Sequence, residues 1–336
     1  MKLFGKDTES DLIVVAEIGV NHEGDVEVAS KLLRLAAEAG ADAVKFQSYN
    51  PHRFVASNDP DRLKRVTQFG LDEAAHRRLA GEARDIGVGF FSAAISEDMI
   101  PLLAELCPVI KIASGDVNFE PVIRAGARTG KPMIVSTGNA TVDEIDRTVG
   151  WVRDEVGDDK LPERLALLHC VSAYPTPIEE ANVKSVPFLA ERYGLATGYS
   201  NHVLGGMACL AAVALGASII EVHFTDNKSG RSFRDHELSF EPDELTALIE
   251  ALGGVRASLG NFAKAPGKSE LPVRDAIRKG LVAARNLDAG TELRGEDLMF
   301  ARPASEFAAD QIDNVIGRRI LGAVRSGEII ARDNVA

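Results

Sequence analysis

Short apolar runs alternate with longer amphipathic segments over the first 260 residues of the chain. The short runs are rich in branched and aromatic residues, which is typical of buried strands. The longer segments place apolar residues at helical spacing, and Thr141 with Glu144 predicts a capping box at the start of one of them. The predicted strands are residues 12–18, 42–47, 88–92, 109–113, 133–136, 165–170, 195–199 and 218–222.

Eight strands that alternate with helices predict an α/β fold, a (β/α)8 TIM barrel over residues 1–260. A doubly wound open sheet is the alternative, but it usually carries a glycine fingerprint after its first strand, and EIGVNHEG lacks that spacing. Residues 48–69 are polar without a clear period, so we expect a long loop there. The predicted helices are residues 25–39, 71–86, 96–106, 119–129, 141–156, 186–193, 205–216 and 241–259.

The pattern changes after residue 260. Residues 261–277 begin with NFAKAPGKSELP, which is typical of a linker. Residues 278–336 contain short apolar pieces separated by glycine turns such as DAGT, and they predict a small β-rich domain.

Charge and cysteine content exclude several classes of protein. The formal net charge is −12 over 336 residues, which argues against nucleic acid or an anionic membrane as the partner. The amino terminus has no apolar signal core, and no apolar run has the length of a membrane span. The three cysteines form no CxxC pair, so we expect no disulfide framework and a reducing, cytoplasmic location.

Two histidines follow neighbouring predicted strands, His202 after the seventh and His223 at the end of the eighth. Parallel strands deliver their carboxyl ends to one rim, where ligands bind. Imidazole suits a divalent metal such as Mn²⁺, Fe²⁺, Co²⁺ or Zn²⁺. Asp235, Asp226, Glu221, or substrate and water would complete such a site, and two hydrogen-bonded structural histidines are the alternative.

Lys45 and Lys111 lie inside apolar strands, where an unmatched charge is costly. Together they predict a bound dianion, and a salt bridge to Glu17 or Asp116 is the alternative for each. Glu17 ends the first strand and could act as a base toward a water or a hydroxyl. Hydroxyl groups and glycine amides at other strand ends could surround a phosphate. Each serine could instead belong to a turn or a helix cap. The residues are Ser114–Gly115, Thr137–Gly138 and Ser200.

Several motifs together resemble the sialic acid (N-acetylneuraminate) synthases and related nonulosonate synthases. The resemblance begins with VAEIGVNHEGDVEVASKLLRLAAEAGADAVKFQ and continues in the family's order with KIASGD, IVSTGNAT, LLHCVSAYPTP, GYSNH and EVHFTD. The pieces LVAARNLDAGTEL, RPASEF and IGRRILGAVRSGEII resemble the antifreeze-like (SAF) domain that follows the barrel in these enzymes. The resemblance therefore covers nearly the whole chain.

This resemblance implies condensation of phosphoenolpyruvate with a sugar aldehyde, N-acetylmannosamine or a related hexosamine. The products would be a 3-deoxy-2-keto sugar acid and phosphate, released by C–O cleavage. It also implies a divalent metal on His202 and His223, namely Mn²⁺ with Mg²⁺ or Co²⁺ as alternatives, and Glu17 serving the water or the tetrahedral intermediate. The residues that would hold phosphoenolpyruvate are Lys45, Lys111, Ser114, Ser136, Ser172 and Ser200.

On the sugar side the resemblance implies contacts from Asp116, Tyr174 and Asp235, with Arg302 reaching into the barrel of a partner chain in a domain-swapped homodimer. Asp116 stands where the family usually has glutamate, so the acceptor sugar stays open. Two further hypotheses are a class II-like metal-dependent aldolase or isomerase acting on a phosphorylated sugar, and a non-catalytic carbohydrate-binding barrel.

Overall fold

The computed structural model describes residues 1–231 and 233–336. The chain divides into two compact units, Met1–Gly260 and Asn261–Ala336. In the first unit the described residues form a closed barrel of eight parallel strands, each of which pairs with its neighbours in sequence, while the last pairs with the first. The predicted (β/α)8 barrel is confirmed, and the open-sheet alternative is wrong.

The barrel strands fall close to the predicted apolar runs. Their side chains are almost all buried, because one face lines the barrel and the other packs under the helices. In register, Glu17 lies between His223 on one neighbouring strand and Lys45 on the other. The strands are β3 (Ile13–Gly19), β4 (Ala43–Ser48), β5 (Gly89–Ala94), β6 (Ile110–Ile112), β7 (Met133–Ser136), β8 (Leu165–Cys170), β9 (Ala196–Asn201) and β10 (Ile219–His223).

Side-chain caps set the starts of several helices. Asp25 accepts hydrogen bonds from the amides of Glu27 and Val28, and the capping box of Thr141 with Glu144 is present. The helices of the first unit are α1 (Val26–Glu38), α2 (Pro51–Phe54), α3 (Pro60–Phe69), α4 (Glu73–Ile86), α5 (Ile100–Leu106), α6 (Glu120–Arg128), α7 (Val142–Val156), α8 (Leu161–Arg164), α9 (Ser185–Tyr193), α10 (Met207–Ala214), α11 (Asp235–Leu238) and α12 (Pro242–Leu259).

The prediction of a structureless loop over residues 48–69 is wrong, because α2 and α3 lie there. Asn50 and Asp59 cap these helices, and each is followed by a proline at the first helical position, where its missing N–H costs nothing. The apolar residues of this stretch form a small cluster apart from the barrel core. The cluster includes Tyr49, Val66, Phe69 and, from a distant part of the chain, Phe233.

An amino-terminal hairpin was not predicted from the sequence. Its strands, β1 (Lys2–Leu3) and β2 (Lys6–Asp7), have only two residues each. The Phe4 ring between them lies 5.1 Å from the Phe91 ring and against Gly89, at the amino-terminal end of β5. The hairpin therefore covers the end of the barrel opposite the strand carboxyl ends, a face that contributes stability in such barrels.

The second unit has its own apolar core. Strands β11 (Gly280–Ala283) and β12 (Leu298–Ala301) pair antiparallel, and isolated bridges extend the pairing. Buried Leu281, Val315 and Ile330 lie at the centre of this core. Residues 261–277 are exposed along their length and include the short helix α13 (Arg274–Ile277). Over the described residues, we find no helix that combines the length and the apolar character needed to cross a membrane.

Candidate active site

The carboxyl ends of β3, β4 and β10 bring three buried charges together. Lys45 Nζ lies 2.8 Å from Glu221 Oε1 and 3.3 Å from Glu17 Oε2. The three side chains belong to adjacent strands and point into the barrel, where each is at most 5% exposed. Lys45 thus forms the salt bridge to Glu17 that the sequence left open, and it forms a second one with Glu221.

This arrangement separates the pKa values of the two carboxyl groups. Burial raises the pKa of Glu17 to about 7, and the charge of Lys45 offsets only part of that effect. Burial also disfavours the charged form of Glu221, but Lys45 and Lys111 outweigh it and lower its pKa to about 2. For Lys45, burial opposes the charge, yet the two carboxylates raise its pKa. Glu17 is therefore poised to exchange a proton near neutral pH, whereas Glu221 stays ionised.

Lys111 has a different environment. Its Nζ donates to Ser136 Oγ at 2.6 Å and to the Ile112 carbonyl at 2.8 Å, so neutral oxygens satisfy two of its three donors. Burial lowers the pKa of Lys111 to about 8. No ion pair joins Lys111 to Asp116 within residues 1–231 and 233–336. Lys111 is thus a buried cation that can still accept an anionic partner.

The predicted hydroxyl groups surround the same end of the barrel. Ser200 Oγ donates to Glu221 Oε1 at 3.1 Å. Ser114 Oγ accepts from the Gly138 amide at 3.0 Å and lies 3.1 Å from Cys170 Sγ. A Cβ atom at Gly138 would lie 2.4 Å from Ser172 Oγ, so Ser114, Ser172 and Cys170 form a close-packed cradle around Gly138 that leaves no room for a side chain there.

His202 and His223 face each other with ring centroids 5.3 Å apart. His202 Nδ1 donates to the Val171 carbonyl at 2.6 Å, which leaves the Nε2 lone pair free for a ligand. Burial, assisted by His223, lowers the pKa of His202 to about 4, and burial lowers the pKa of His223 to about 3. Both rings are therefore neutral at pH 7, the form that binds a metal ion.

The described residues contain no group of three or more histidine, cysteine or acidic side chains that could hold a metal ion. Glu221 is paired with Lys45, and Asp226 is paired with Lys31 and Arg231. His223 Nδ1 is buried and has no hydrogen-bond partner among the described atoms. The donor set thus fits a metal held by two imidazoles, whose remaining ligands would be water or substrate.

The residues expected on the sugar side extend from the histidines. The Tyr174 ring lies 4.1 Å from the His202 ring, and the Arg234 guanidinium lies 4.7 Å from the Tyr174 ring. Arg234 Nε is 3.3 Å from Asp235 Oδ1. Asp116 ends a single 3₁₀ turn after β6, where burial raises its pKa to about 6. Asp116 is close enough to Lys111 for that charge to oppose the shift.

Arg302 lies in the second unit, directly after β12, and is exposed. Its contact with the barrel of another chain stays a prediction, as do the individual roles that the resemblance implies for the other residues.

Sequence reasoning missed several members of this constellation. It named Glu221 only as a possible metal ligand, although its position two residues before His223 on a strand predicts the same inward face. Gln47, which donates to Glu17 at 3.2 Å, stands two residues after Lys45 and follows the same rule. No local pattern indicates Cys170 or Arg234, because their neighbours come from distant parts of the chain.

Comparison with known proteins now adds to this geometry. The profile described as the NeuB family matches residues 32–264. The chain belongs to the NeuB family. A second profile, the SAF domain, matches residues 278–336 of this NeuB chain, so the predicted resemblance is confirmed for both parts of the sequence.

Named relatives extend over nearly the whole chain. N,N'-diacetyllegionaminic acid synthase of Campylobacter jejuni is 34% identical over 332 residues, which are 95% of this chain and 98% of the relative. The Legionella pneumophila enzyme of the same name is 32% identical over 336 residues, which are 96% and 94% of the two chains.

A solved structure supports the same family. The N-acetylneuraminic acid (sialic acid) synthetase of Leptospira borgpetersenii, crystallised in complex with citrate, superposes with a TM-score of 0.74 and 30% identity. The match covers 80% of this chain and 93% of that one. The prediction that this NeuB chain is an enzyme, a carbon–carbon bond-forming transferase of the synthase type, is confirmed.

Proposed function

We propose that this NeuB protein condenses phosphoenolpyruvate with a hexosamine aldehyde, giving a sialic-acid-like 3-deoxy-2-keto sugar acid and phosphate. The observation that carries the proposal is the meeting of two buried ammonium groups and two neutral imidazoles at one barrel mouth. Glu221 lies between the two groups, since it pairs with Lys45 at 2.8 Å and stands two residues before His223 on β10. Relatives named as synthases of legionaminic and sialic acids support the same chemistry.

Phosphoenolpyruvate would occupy the side of the mouth that holds Lys45 and Lys111. Lys111 lies among neutral oxygens, so an incoming phosphate or carboxylate would match a charge that is otherwise costly to bury. The hydroxyl groups of Ser114 and Ser172, which pack around Gly138, would donate to the same anion. Ser136 and Ser200 supply further hydroxyl groups beside the two lysines and Glu221.

A divalent metal would bind His202 and His223, and Mn²⁺ is proposed, with Mg²⁺ or Co²⁺ as alternatives. When bound, the ion would supply Lewis-acid polarisation of the acceptor carbonyl. The chain itself contributes two neutral rings, of which His202 is held in one tautomer by the Val171 carbonyl.

In the proposed reaction the enol carbon of phosphoenolpyruvate attacks the aldehyde carbon. A new carbon–carbon bond forms, and the carbonyl oxygen becomes an alkoxide that takes up a proton to give a hydroxyl group. Water then adds to the cationic carbon that carried the phosphate, and the Glu17 carboxylate accepts the proton that the water loses. The tetrahedral carbon finally releases phosphate together with its bridging oxygen, and its new hydroxyl group becomes the ketone as the proton passes to the phosphate. A pKa of about 7 suits Glu17 for this exchange near neutral pH.

The sugar would lie toward Tyr174 and Asp235, beside the histidines, and would also contact Asp116. We propose that Arg302 of a second copy completes this side, in a homodimer whose small domains are exchanged. The acceptor is a hexosamine aldehyde such as N-acetylmannosamine or a 2,4-diacetamido relative, the class that the names of the relatives indicate.

The test measures phosphate release from phosphoenolpyruvate with Mn²⁺ and a panel of hexosamine aldehydes. With ¹⁸O in the bridging position of phosphoenolpyruvate, C–O cleavage places the label in the released phosphate, whereas hydrolysis at phosphorus leaves it in the carbon product. Acceptor-dependent release of labelled phosphate is expected.

Two other results would point elsewhere. Turnover of a phosphorylated sugar without phosphoenolpyruvate would favour the aldolase or isomerase alternative. Firm sugar binding with no phosphate release from any acceptor would favour the non-catalytic barrel. Either result would overturn the proposal.

A further inference from the structure

The segment between β10 and α12 carries Arg234, which lies 4.7 Å from the Tyr174 ring beside His202, and Asp235. Its two ends are joined at the base, where the Phe240 amide donates to the His223 carbonyl at 2.7 Å and the Thr225 amide donates to the Phe240 carbonyl at 3.0 Å. Asp235 is buried at the start of α11 beside Arg234, and burial raises the pKa of its carboxyl group. The position of Asp235 therefore depends on what holds this segment down.

His236 follows Asp235 and is 1% exposed. Its Nε2 lies 3.2 Å from Glu23 Oε1, in the loop after β3, and its Nδ1 lies 2.8 Å from Thr225 Oγ1. A carboxylate only accepts hydrogen bonds, so Nε2 carries the proton and Nδ1 accepts from the Thr225 hydroxyl. Thr225 Oγ1 in turn accepts from the Asn227 amide at 3.4 Å. One tautomer of the ring thus links the segment after β10 to the loop after β3, the neighbouring strand.

The surrounding contacts fix the same stretch of backbone. Ser239 Oγ donates to the Asp235 carbonyl at 2.6 Å, and Asn21 Nδ2 donates to Ser239 Oγ at 3.0 Å. Asn21 and Glu23 belong to one loop, so this loop holds the segment on both sides of His236. Burial lowers the pKa of His236, so the ring is neutral at pH 7, with its single proton on Nε2.

We propose that His236 is a positioning residue, which holds Asp235 at the distance that the acceptor sugar requires. The inference rests on the proposed function, since Asp235 contacts the sugar only in that reaction. His236 itself touches neither reacting centre: its partners are Thr225 and Glu23, away from Lys45 and Lys111. A displacement of Asp235 by about 1 Å is enough to lower turnover about a hundredfold in a site of this kind.

The test uses the full chain with Mn²⁺, phosphoenolpyruvate and the acceptor that releases most phosphate. For His236→Ala we expect the acceptor KM to rise about tenfold or more, because a loosened segment misplaces Asp235. The KM for phosphoenolpyruvate should change less than about twofold, since its proposed ligands lie on other strands. His236→Gln keeps an N–H donor within reach of Glu23 and should recover most of the acceptor affinity.

His76→Ala is the matched control. His76 is also fully buried and also makes two hydrogen bonds, to Ser48 and to the Asp72 carbonyl, but it lies on α4, on the helix side of β4 and outside the barrel interior. Its loss should lower the unfolding midpoint without a selective change in acceptor KM. Thr225→Val, which removes only the hydroxyl, provides a second variant if His236→Ala does not fold.

The outcomes separate the two proposals. An active wild type with an unchanged acceptor KM in His236→Ala and Thr225→Val overturns the positioning role alone. An equal rise in both KM values, or the same selective rise in His76→Ala, overturns it as well. A wild type that releases no phosphate with any acceptor overturns the proposed function and this inference together.

Discussion

Lys45 donates to Glu221 across 2.8 Å inside the barrel, and neither side chain is more than 5% exposed. The partners are 176 residues apart in sequence and meet only because β10 closes against β3 beside β4. Removing one partner of a buried pair leaves the other charge uncompensated, which is far more costly than losing an exposed pair.

The first prediction concerns the stability of this pair. Lys45→Met leaves Glu17 and Glu221 without their shared cation and should lower the free energy of unfolding by about 3 kcal/mol. Glu221→Gln should cost less, since Lys45 keeps Glu17 at 3.3 Å. In the double variant the losses should fall short of their sum by about 2 kcal/mol. Urea unfolding at pH 7 measures all three, and additive losses would show that the pair is not coupled.

The second prediction concerns the metal. His223→Ala removes one of the two neutral imidazoles and should weaken Mn²⁺ binding by at least about tenfold, because few protein ligands are left to compensate. Calorimetric titration of the metal-free protein with Mn²⁺ measures this without reference to turnover. A variant that binds Mn²⁺ as tightly as the wild type would refute the ligand assignment.

His169→Ala is the control for this experiment. His169 also lies on a barrel strand, but its Nε2 bonds to the Ala181 carbonyl at 2.8 Å on the helix side of the barrel. Its replacement should reduce stability and leave the affinity for Mn²⁺ unchanged. A parallel loss in both variants would indicate general loosening of the barrel rather than removal of a ligand.

The sequence was sufficient for the barrel because each strand is a short apolar run and each helix keeps its own period. The stretch 48–69 failed because α2 and α3 bury their apolar residues in a local cluster with Phe233, not against the barrel. The pairs Asn50–Pro51 and Asp59–Pro60 each combine a capping residue with a proline, and they are the local signals that indicate the starts of these two helices. In α3 the apolar residues Leu63, Val66 and Phe69 do share one face, but the polar residues between them leave the segment hydrophilic overall.

The sequence predicts which residues lie at the strand ends of the candidate site, but it does not predict which of their side chains pair with each other. Strand position alone brings Lys45, Lys111, His202 and His223 to one mouth. Which carboxylate pairs with Lys45 depends on closure between the first and last barrel strands, which no local pattern contains. The tautomer of His236 likewise depends on Glu23, more than 200 residues earlier in the chain.

The third prediction is an alkaline limit on phosphoenolpyruvate binding. Burial lowers the pKa of Lys111 to about 8, so the side chain is cationic below this pH and becomes neutral above it. The kcat/KM for phosphoenolpyruvate should therefore fall as pH rises through about 8. In kcat the same limit should lie at higher pH, because bound phosphoenolpyruvate favours the protonated amine.

Lys111→Arg tests the assignment, since a guanidinium stays charged across this range. The variant should bind phosphoenolpyruvate less well at pH 7, yet its kcat/KM should no longer fall near pH 8. Lys45 should not contribute to the limit, because its carboxylate partners raise its pKa. An unchanged alkaline limb in Lys111→Arg would assign the titration to another group.

The fourth prediction concerns the cradle at Gly138. A methyl group there would lie 2.4 Å from Ser172 Oγ and 2.5 Å from Cys170 Sγ, so it would displace Ser172, a proposed donor to the anion. Gly138→Ala should raise the KM for phosphoenolpyruvate about tenfold and leave the acceptor KM within about twofold. Steady-state kinetics with each substrate varied in turn measures both values.

Gly150→Ala is the matched substitution, because a methyl group at that position in α7 would meet no atom within 4 Å. It should leave both KM values unchanged and raise the unfolding midpoint slightly, since alanine favours a helix. If Gly138→Ala behaved in the same way, the cradle would not hold the anion.

The last prediction concerns Arg302. It stands after β12 in the second unit, exposed, and the resemblance implies that it reaches the barrel of another chain. A chain with Arg302→Ala and a chain with Glu17→Gln should each be nearly inactive alone. In a mixed dimer with Arg302 acting in trans, one barrel has its own Glu17 and receives an intact Arg302, while the other has neither. An equal mixture should thus recover about a quarter of wild-type turnover, because half of the dimers are mixed and each has one working site.

If Arg302 serves its own barrel, both sites of a mixed dimer lack one residue. Differently tagged chains, purified over both tags, ensure that mixed dimers are measured, and inactivity of those dimers would refute the exchanged arrangement.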